Sequence, residues 1–93
     1  MPVVRIPRVL RGHTAGDSEV EIDADTLANL LECLYDRFPT LRNSLSADGI
    51  DILDHTNIFV NDIEVREMGG LSARLKNGDT ITILPSMAGG RQN

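Results

Sequence analysis

Only one stretch of this chain carries a helical stripe. In DADTLANLLECLYDRFP, Leu27, Leu30, Leu31, Leu34 and Phe38 stand at i, i+3, i+4, i+7 and i+11, which places them on one face of an α-helix. A lone amphipathic helix has no second helix to bury against, so a sheet must cover its apolar face. Asp25 is the expected N-cap and Pro39 the expected stop. Residues 40–56 are mixed, with Leu41 and Leu45 closing a turn under the domain.

The remaining segments supply that sheet. PVVRIPRVL (2–10) alternates, with Val4 and Ile6 on one side and Val3 and Arg5 on the other, while Pro7 lacks a donor and belongs at an edge or bulge. RGHTAGD (11–17) is turn chemistry, and SEVEI (18–22) turns Val20 and Ile22 inward. Asn57–Asn61 is a strand, Asn61-Asp62 a turn and Ile63–Val65 a short return. Gly69-Gly70 breaks the chain as a backbone turn, and Leu71 and Leu75 plug the core. Asn77-Gly78-Asp79 then leads into TITIL (80–84), with Ile81 and Ile83 on one face and Thr80, Thr82 and Leu84 on the other. The first and last strands are the most apolar and belong at the centre. The fold class is therefore α+β: a ββαββ β-grasp, or ubiquitin-like, domain over 1–85, with a mixed sheet of about four or five strands on one main helix. Residues 86–93 form a flexible tail.

Composition narrows the function. With 93 residues the chain is one domain's worth. The sole cysteine, Cys33, allows neither an internal disulfide nor a thiolate metal cage. It sits at the margin of the helix stripe, as an inert, partly buried apolar residue. Fourteen acidic against nine basic residues give a net charge of −5. That charge repels phosphates, and Tyr35, Phe38 and Phe59 are too few rings for bases to stack on. Nucleic acid is not expected as a partner, and a basic docking face would be attracted. No signal layout or membrane-length apolar run is present, so the cytoplasm is the expected compartment. His13 and His55 fall in loops without paired ligands and are read as solvated, and DGIDILD (48–54) does not fit a calcium loop. Arg5, Arg8 and Arg11 recur every third residue and would not share one strand face; they are read as surface charge, with an acidic partner as the alternative. No nucleophile–base pair, carboxylate pair or metal cluster stands at useful spacing, so no catalytic residue, bound cofactor or metal is expected.

The motifs VNDIEV (60–65), Gly-Gly-Leu (69–71), LKNGDTITILP (75–85) and the diglycine Gly89-Gly90 resemble the MoaD/ThiS family of sulfur-carrier proteins. The resemblance covers almost the whole chain. RIPRVLRGHTAG (5–16) and the ILPSMAGG ending are similar to its CysO-type, cysteine-biosynthesis branch. It implies a carrier rather than an enzyme. An E1-like adenylating enzyme would use ATP to activate the Gly90 carboxylate, and sulfur would replace AMP to leave a thiocarboxylate. A pyridoxal-phosphate-dependent cysteine synthase would present the acceptor, and a metal-dependent peptidase would release the cysteinyl product.

The residues suit that task physically. Five residues from Ser86 to Gly90 reach about 17 Å when extended. Ala88, Gly89 and Gly90 are small enough to thread a narrow channel. The entropy lost on docking must be offset by contacts of the folded body. Phe59, Leu84 and Val3, on the strand face opposite the core, are the expected docking patch.

One departure matters. Arg91, Gln92 and Asn93 follow the diglycine, so the Gly90 carbonyl is an amide with no carboxylate to activate. The expectation is a precursor cut between Gly90 and Arg91 by a JAMM-type zinc peptidase, the class implied by the resemblance. Three other functions stay open: a ubiquitin-like covalent modifier, the small subunit of molybdopterin synthase, and a binding module whose tail is inert. The free protein is expected to be a monomer.

Overall fold

The computed structural model describes residues 1–45 and 56–85, without the side chains of 43–45 and 85. The acidic stretch 48–54, His55, the Leu45 side chain and the tail from Ser86 onward lie outside the described residues. Five strands form: β1 (Val3–Arg5), β2 (Glu19–Glu21), β3 (Thr56–Val60), β4 (Ile63–Glu64) and β5 (Thr80–Pro85). Their order is β2-β1-β5-β3-β4. The two strands richest in apolar residues are thus interior, as their composition predicts. β5 runs parallel to β1 and antiparallel to β3. This is the β-grasp arrangement.

The inward face is a set of aligned aliphatic residues. Val20, Val4, Ile81 and Val60 sit side by side across four strands, and Ile58 pairs with Ile83. Each is at most 5% exposed. Against them lies α1 (Leu27–Arg37), burying Leu27, Leu30, Leu31, Leu34 and Tyr35. Burying an aliphatic side chain of this size contributes about 1.5–3 kcal/mol, so this helix–sheet layer dominates the fold's stability. Leu75 is buried and Leu71 is partly buried against the core.

Several local expectations shift. The N-cap is Thr26, not Asp25: the Thr26 hydroxyl accepts from the Asn29 amide at 3.2 Å. The cause is tertiary. Thr26 pairs with Arg74, the Leu75 amide donates to the Asp25 carbonyl and the Leu27 amide to the Ala73 carbonyl. These bonds hold the chain extended through Thr26. Pro39 does more than stop a helix, because it opens α2 (Pro39–Leu45), where its missing amide costs nothing. Leu41 of α2 is fully buried. The strand through residue 10 ends at Arg5, and Arg8–His13 forms a 3₁₀ helix that buries Leu10. The return strand ends at Glu64, with Val65–Met68 also 3₁₀.

The two turn motifs legible in the sequence meet in space. Asn61 adopts a left-handed φ of 57°. Its side chain accepts from the Thr80 amide and donates to the Asp79 carboxylate, both at 3.1 Å. The Asp79 carboxylate also accepts from the Lys76 amide at 2.9 Å. The VND turn and the NGD turn therefore fix each other and pin the β3–β5 register.

Replacing Thr26 with Ala is expected to lower unfolding stability in urea by about 1 kcal/mol. Replacing Asp25 with Ala should change it by no more than about 0.5 kcal/mol.

Candidate functional site

The tail leaves the body at the carboxyl end of β5, the central strand, so its root is flanked on both sides. Leu84 is paired with Asn57 of β3, and Pro85 with Thr56. On the other side, Pro7 follows β1 and lines a cleft with Leu84. Strand alternation makes the outward row of β5 Thr80, Thr82 and Leu84. Leu84 is 46% exposed, whereas Ile83 beside it is fully buried.

All three expected docking residues lie on this outward face, but not together. Phe59 pairs with Thr82, one step from the Asn57–Leu84 pair. It is therefore a diagonal neighbour of Leu84, about 7–8 Å away and within reach of an aromatic ring. Val3 pairs with Thr80, four residues back along β5, which is about 13 Å. Phe59 and Leu84 form one patch at the tail root, and Val3 sits at the opposite end of the strand. In the Phe59 row, β1 contributes Arg5 instead, through the Arg5–Thr82 pairing.

Two charged groups bracket the patch. On the β3–β4 side, Arg66 donates to Glu64 Oε2 at 2.9 Å, Asn57 Oδ1 at 3.2 Å and the Thr56 carbonyl at 3.4 Å. With both side chains partly exposed, that ion pair adds little stability, about 0–1 kcal/mol, but it fixes the rim. On the β1 side is a cleft of about 330 Å³ whose walls include Arg5, Arg11, Pro7, Glu19, Thr82 and Leu84. Arg66 and this cleft are absent from the sequence expectations. Arg66 reaches residues nine and ten positions away, and no local pattern encodes that.

Other candidate residues fall differently from expectation. Cys33 is exposed rather than partly buried. At about 100° per residue it lies roughly 110° from the middle of the leucine stripe, and the buried face widens toward Tyr35 instead. It lines a shallow acidic surface with Asp23, Asp25 and Glu32. His13 ends the 3₁₀ helix rather than sitting in a loop, and, still partly exposed, its Nδ1 lies 3.0 Å from the Thr40 hydroxyl, linking that helix to α2. Only Arg5 of the three spaced arginines is on a strand; Arg8 and Arg11 belong to the 3₁₀ helix. Among the described residues no group of three or more His, Cys, Asp and Glu is placed to hold a metal ion. No described helix is long and apolar enough to cross a membrane. Ala88, Gly89, Gly90 and Arg91 lie outside the described residues.

The sequence pattern of the ThiS family matches residues 4–90. The chain belongs to the ThiS family. It is 39% identical over 90 residues to the sulfur carrier protein CysO of Mycobacterium tuberculosis, covering 94% of this chain and 96% of that protein. Its structure is similar to the CysO chain in the Amycolatopsis orientalis BexX/CysO complex, with a TM-score of 0.84 and 37% identity. That match covers 97% of this chain and all of the other. The small archaeal modifier protein 1 of Methanosarcina acetivorans is similar as well, with a TM-score of 0.81 and 28% identity over 96% of this ThiS-family chain and 95% of that one.

The register sets which β5 residues are free for contact. Replacing the inward Ile83 with Ala is expected to cost about 2–5 kcal/mol in denaturant unfolding. The same change at neighbouring Leu84 should stay within about 0.5 kcal/mol. Similar losses at both positions would contradict the assigned faces.

Proposed function

We propose that this ThiS-family protein is a cytoplasmic sulfur carrier, not an enzyme, whose reactive group is the carboxylate of Gly90. Hydrolysis of the Gly90–Arg91 amide by a zinc peptidase of the JAMM type uncovers that carboxylate. An E1-like enzyme then joins it to the α-phosphorus of ATP, releasing pyrophosphate and leaving an acyl adenylate. A sulfide-level sulfur displaces AMP, and the thiocarboxylate formed donates its sulfur in cysteine biosynthesis or that of a related sulfur metabolite. A pyridoxal-phosphate-dependent synthase presents the acceptor. A carboxylate resists attack because oxide is a poor leaving group, and adenylation supplies AMP in its place.

The observation that carries this reading is near-full-length similarity to a sulfur carrier, with the family match ending on Gly90 itself. The body's geometry supports it. Leu84 and Phe59 offer a small apolar patch beside the strand that launches the tail, while Val3 extends the contact along the same face. A partner seated there holds the root while five residues, Ser86 to Gly90, reach about 17 Å into its active site. The crystallised complex of a similar carrier with another protein is consistent with a docking role.

A second reading is favoured by the likeness to an archaeal modifier protein. In that reading a lysine amine attacks the adenylate and forms an isopeptide. Blots of native lysate separate the two, because conjugation gives a ladder of higher-mass adducts and sulfur transfer gives none.

Mass spectrometry of the protein from its native cell is expected to find chains ending at Gly90, some carrying sulfur in place of a terminal oxygen. Finding only chains that retain Arg91 would contradict the precursor assignment.

A further inference from the structure

Resting on the activation reading above, we propose that the cleft between β1 and the end of β5 receives a carboxylate side chain of the adenylating enzyme. Arg5 and Arg11 bind that carboxylate and fix the register of the tail. Both arginines line the cleft. Among the described residues the ion pairs are Arg42–Glu32 and Arg66–Glu64, so neither cleft arginine is ion-paired with a described residue, although Glu19 stands opposite Arg5 on β2. Arg11 is half-buried, and its Nε donates to the Ile6 carbonyl at 3.0 Å. That bond orients the guanidinium plane and leaves both terminal nitrogens to donate to a carboxylate end-on. Arg8 precedes Arg11 by one turn of the 3₁₀ helix, so it adds positive charge on the same side.

Charge complementarity selects the occupant. The chain carries a net charge of −5, yet here two arginines line a concave, partly apolar wall, which focuses a positive potential against the sign of the whole. Two anions are conceivable, a protein carboxylate or the phosphates of ATP, and distance favours the first. Leu84 in the cleft wall stands two residues before Ser86. When the tail is extended, Gly90 and the ATP it meets are roughly 20 Å away along the chain. The enzyme's rim, which must close around the tail root, is adjacent. A bidentate pair there would set where the five-residue tail begins its reach. A slip of one residue would move the Gly90 carboxylate about 3.4 Å from its target, enough to spoil an attack geometry. Glu19 lines the same cleft and opposes an incoming carboxylate.

The test is ATP–pyrophosphate exchange by the cognate adenylating enzyme, using this chain ending at Gly90 and its Arg5→Gln, Arg11→Gln, doubly substituted and Glu19→Gln variants. The Arg5 side chain makes no hydrogen bond or ion pair among the described residues, so Arg5→Gln remains folded even if Arg11→Gln loosens the 3₁₀ helix; thermal melts check this. The double variant is expected to raise KM for the carrier about tenfold or more, with kcat within about twofold and a flatter salt dependence. Glu19→Gln should lower KM, an effect that a structural role would not produce. Unchanged KM and salt dependence in folded Arg5→Gln and the double variant would overturn the cleft assignment while leaving activation intact. Failure of the unsubstituted chain to support exchange would overturn the activation reading, and the cleft assignment with it.

Discussion

The alternation along Thr80–Pro85 is the constraint on which the rest depends. Ile81 and Ile83 point inward and are fully buried, each paired on one or both sides with another buried aliphatic residue. Thr82 and Leu84 point outward between β1 and β3, and the chain leaves the sheet from the same strand. The step that completes the core therefore also exposes Leu84. A shift of one residue would exchange the two faces, burying a threonine and exposing an isoleucine. Two devices prevent it: the mutual bonding of Asn61 and Asp79 at the start of β5, and the pairing of Thr56 with Pro85 at its end.

That constraint explains how a small body can serve a long tail. In the proposed function the tail must reach into a partner, and the cost of ordering it on docking is lower if it begins from a fixed point. The root is held from one side: β5 stays paired with β3 through Pro85, whereas its pairing with β1 ends at Thr82. Around it stand an apolar patch, a fixed Arg66–Glu64 rim and a cationic cleft. Each is different in character, so the surface around the root is asymmetric, as the proposed docking requires.

Much of this was legible in the sequence. The leucine stripe from Leu27 to Phe38, the β-branched alternation of 80–84 and the two Asn-containing turns are short-range patterns, and each formed where its periodicity placed it. The central position of β1 and β5 followed from their apolar content. What failed depended on distant partners. Asp25 lost the cap because the 73–75 segment pins residues 25–27, and the PVVRIPRVL strand stopped early because Pro7 ends it and starts a 3₁₀ turn. Cys33 was misplaced by treating a stripe's margin as its face. The expected docking patch was legible only as a face: alternation assigned Phe59, Leu84 and Val3 to one side, but pairing separated Val3 from the other two. Arg66 and the Arg5–Arg11 cleft join residues from separate elements, and no local pattern in the sequence encodes that.

The central claim is that a free carboxylate on Gly90 is the group that reacts. Intact-mass spectrometry of two purified forms, one ending at Gly90 and one at Asn93, tests it most directly. Each form is incubated with the cognate adenylating enzyme, ATP and a sulfide source. Only the shorter form is expected to exchange a terminal oxygen for sulfur. Sulfur on the longer form, or on neither, would contradict it.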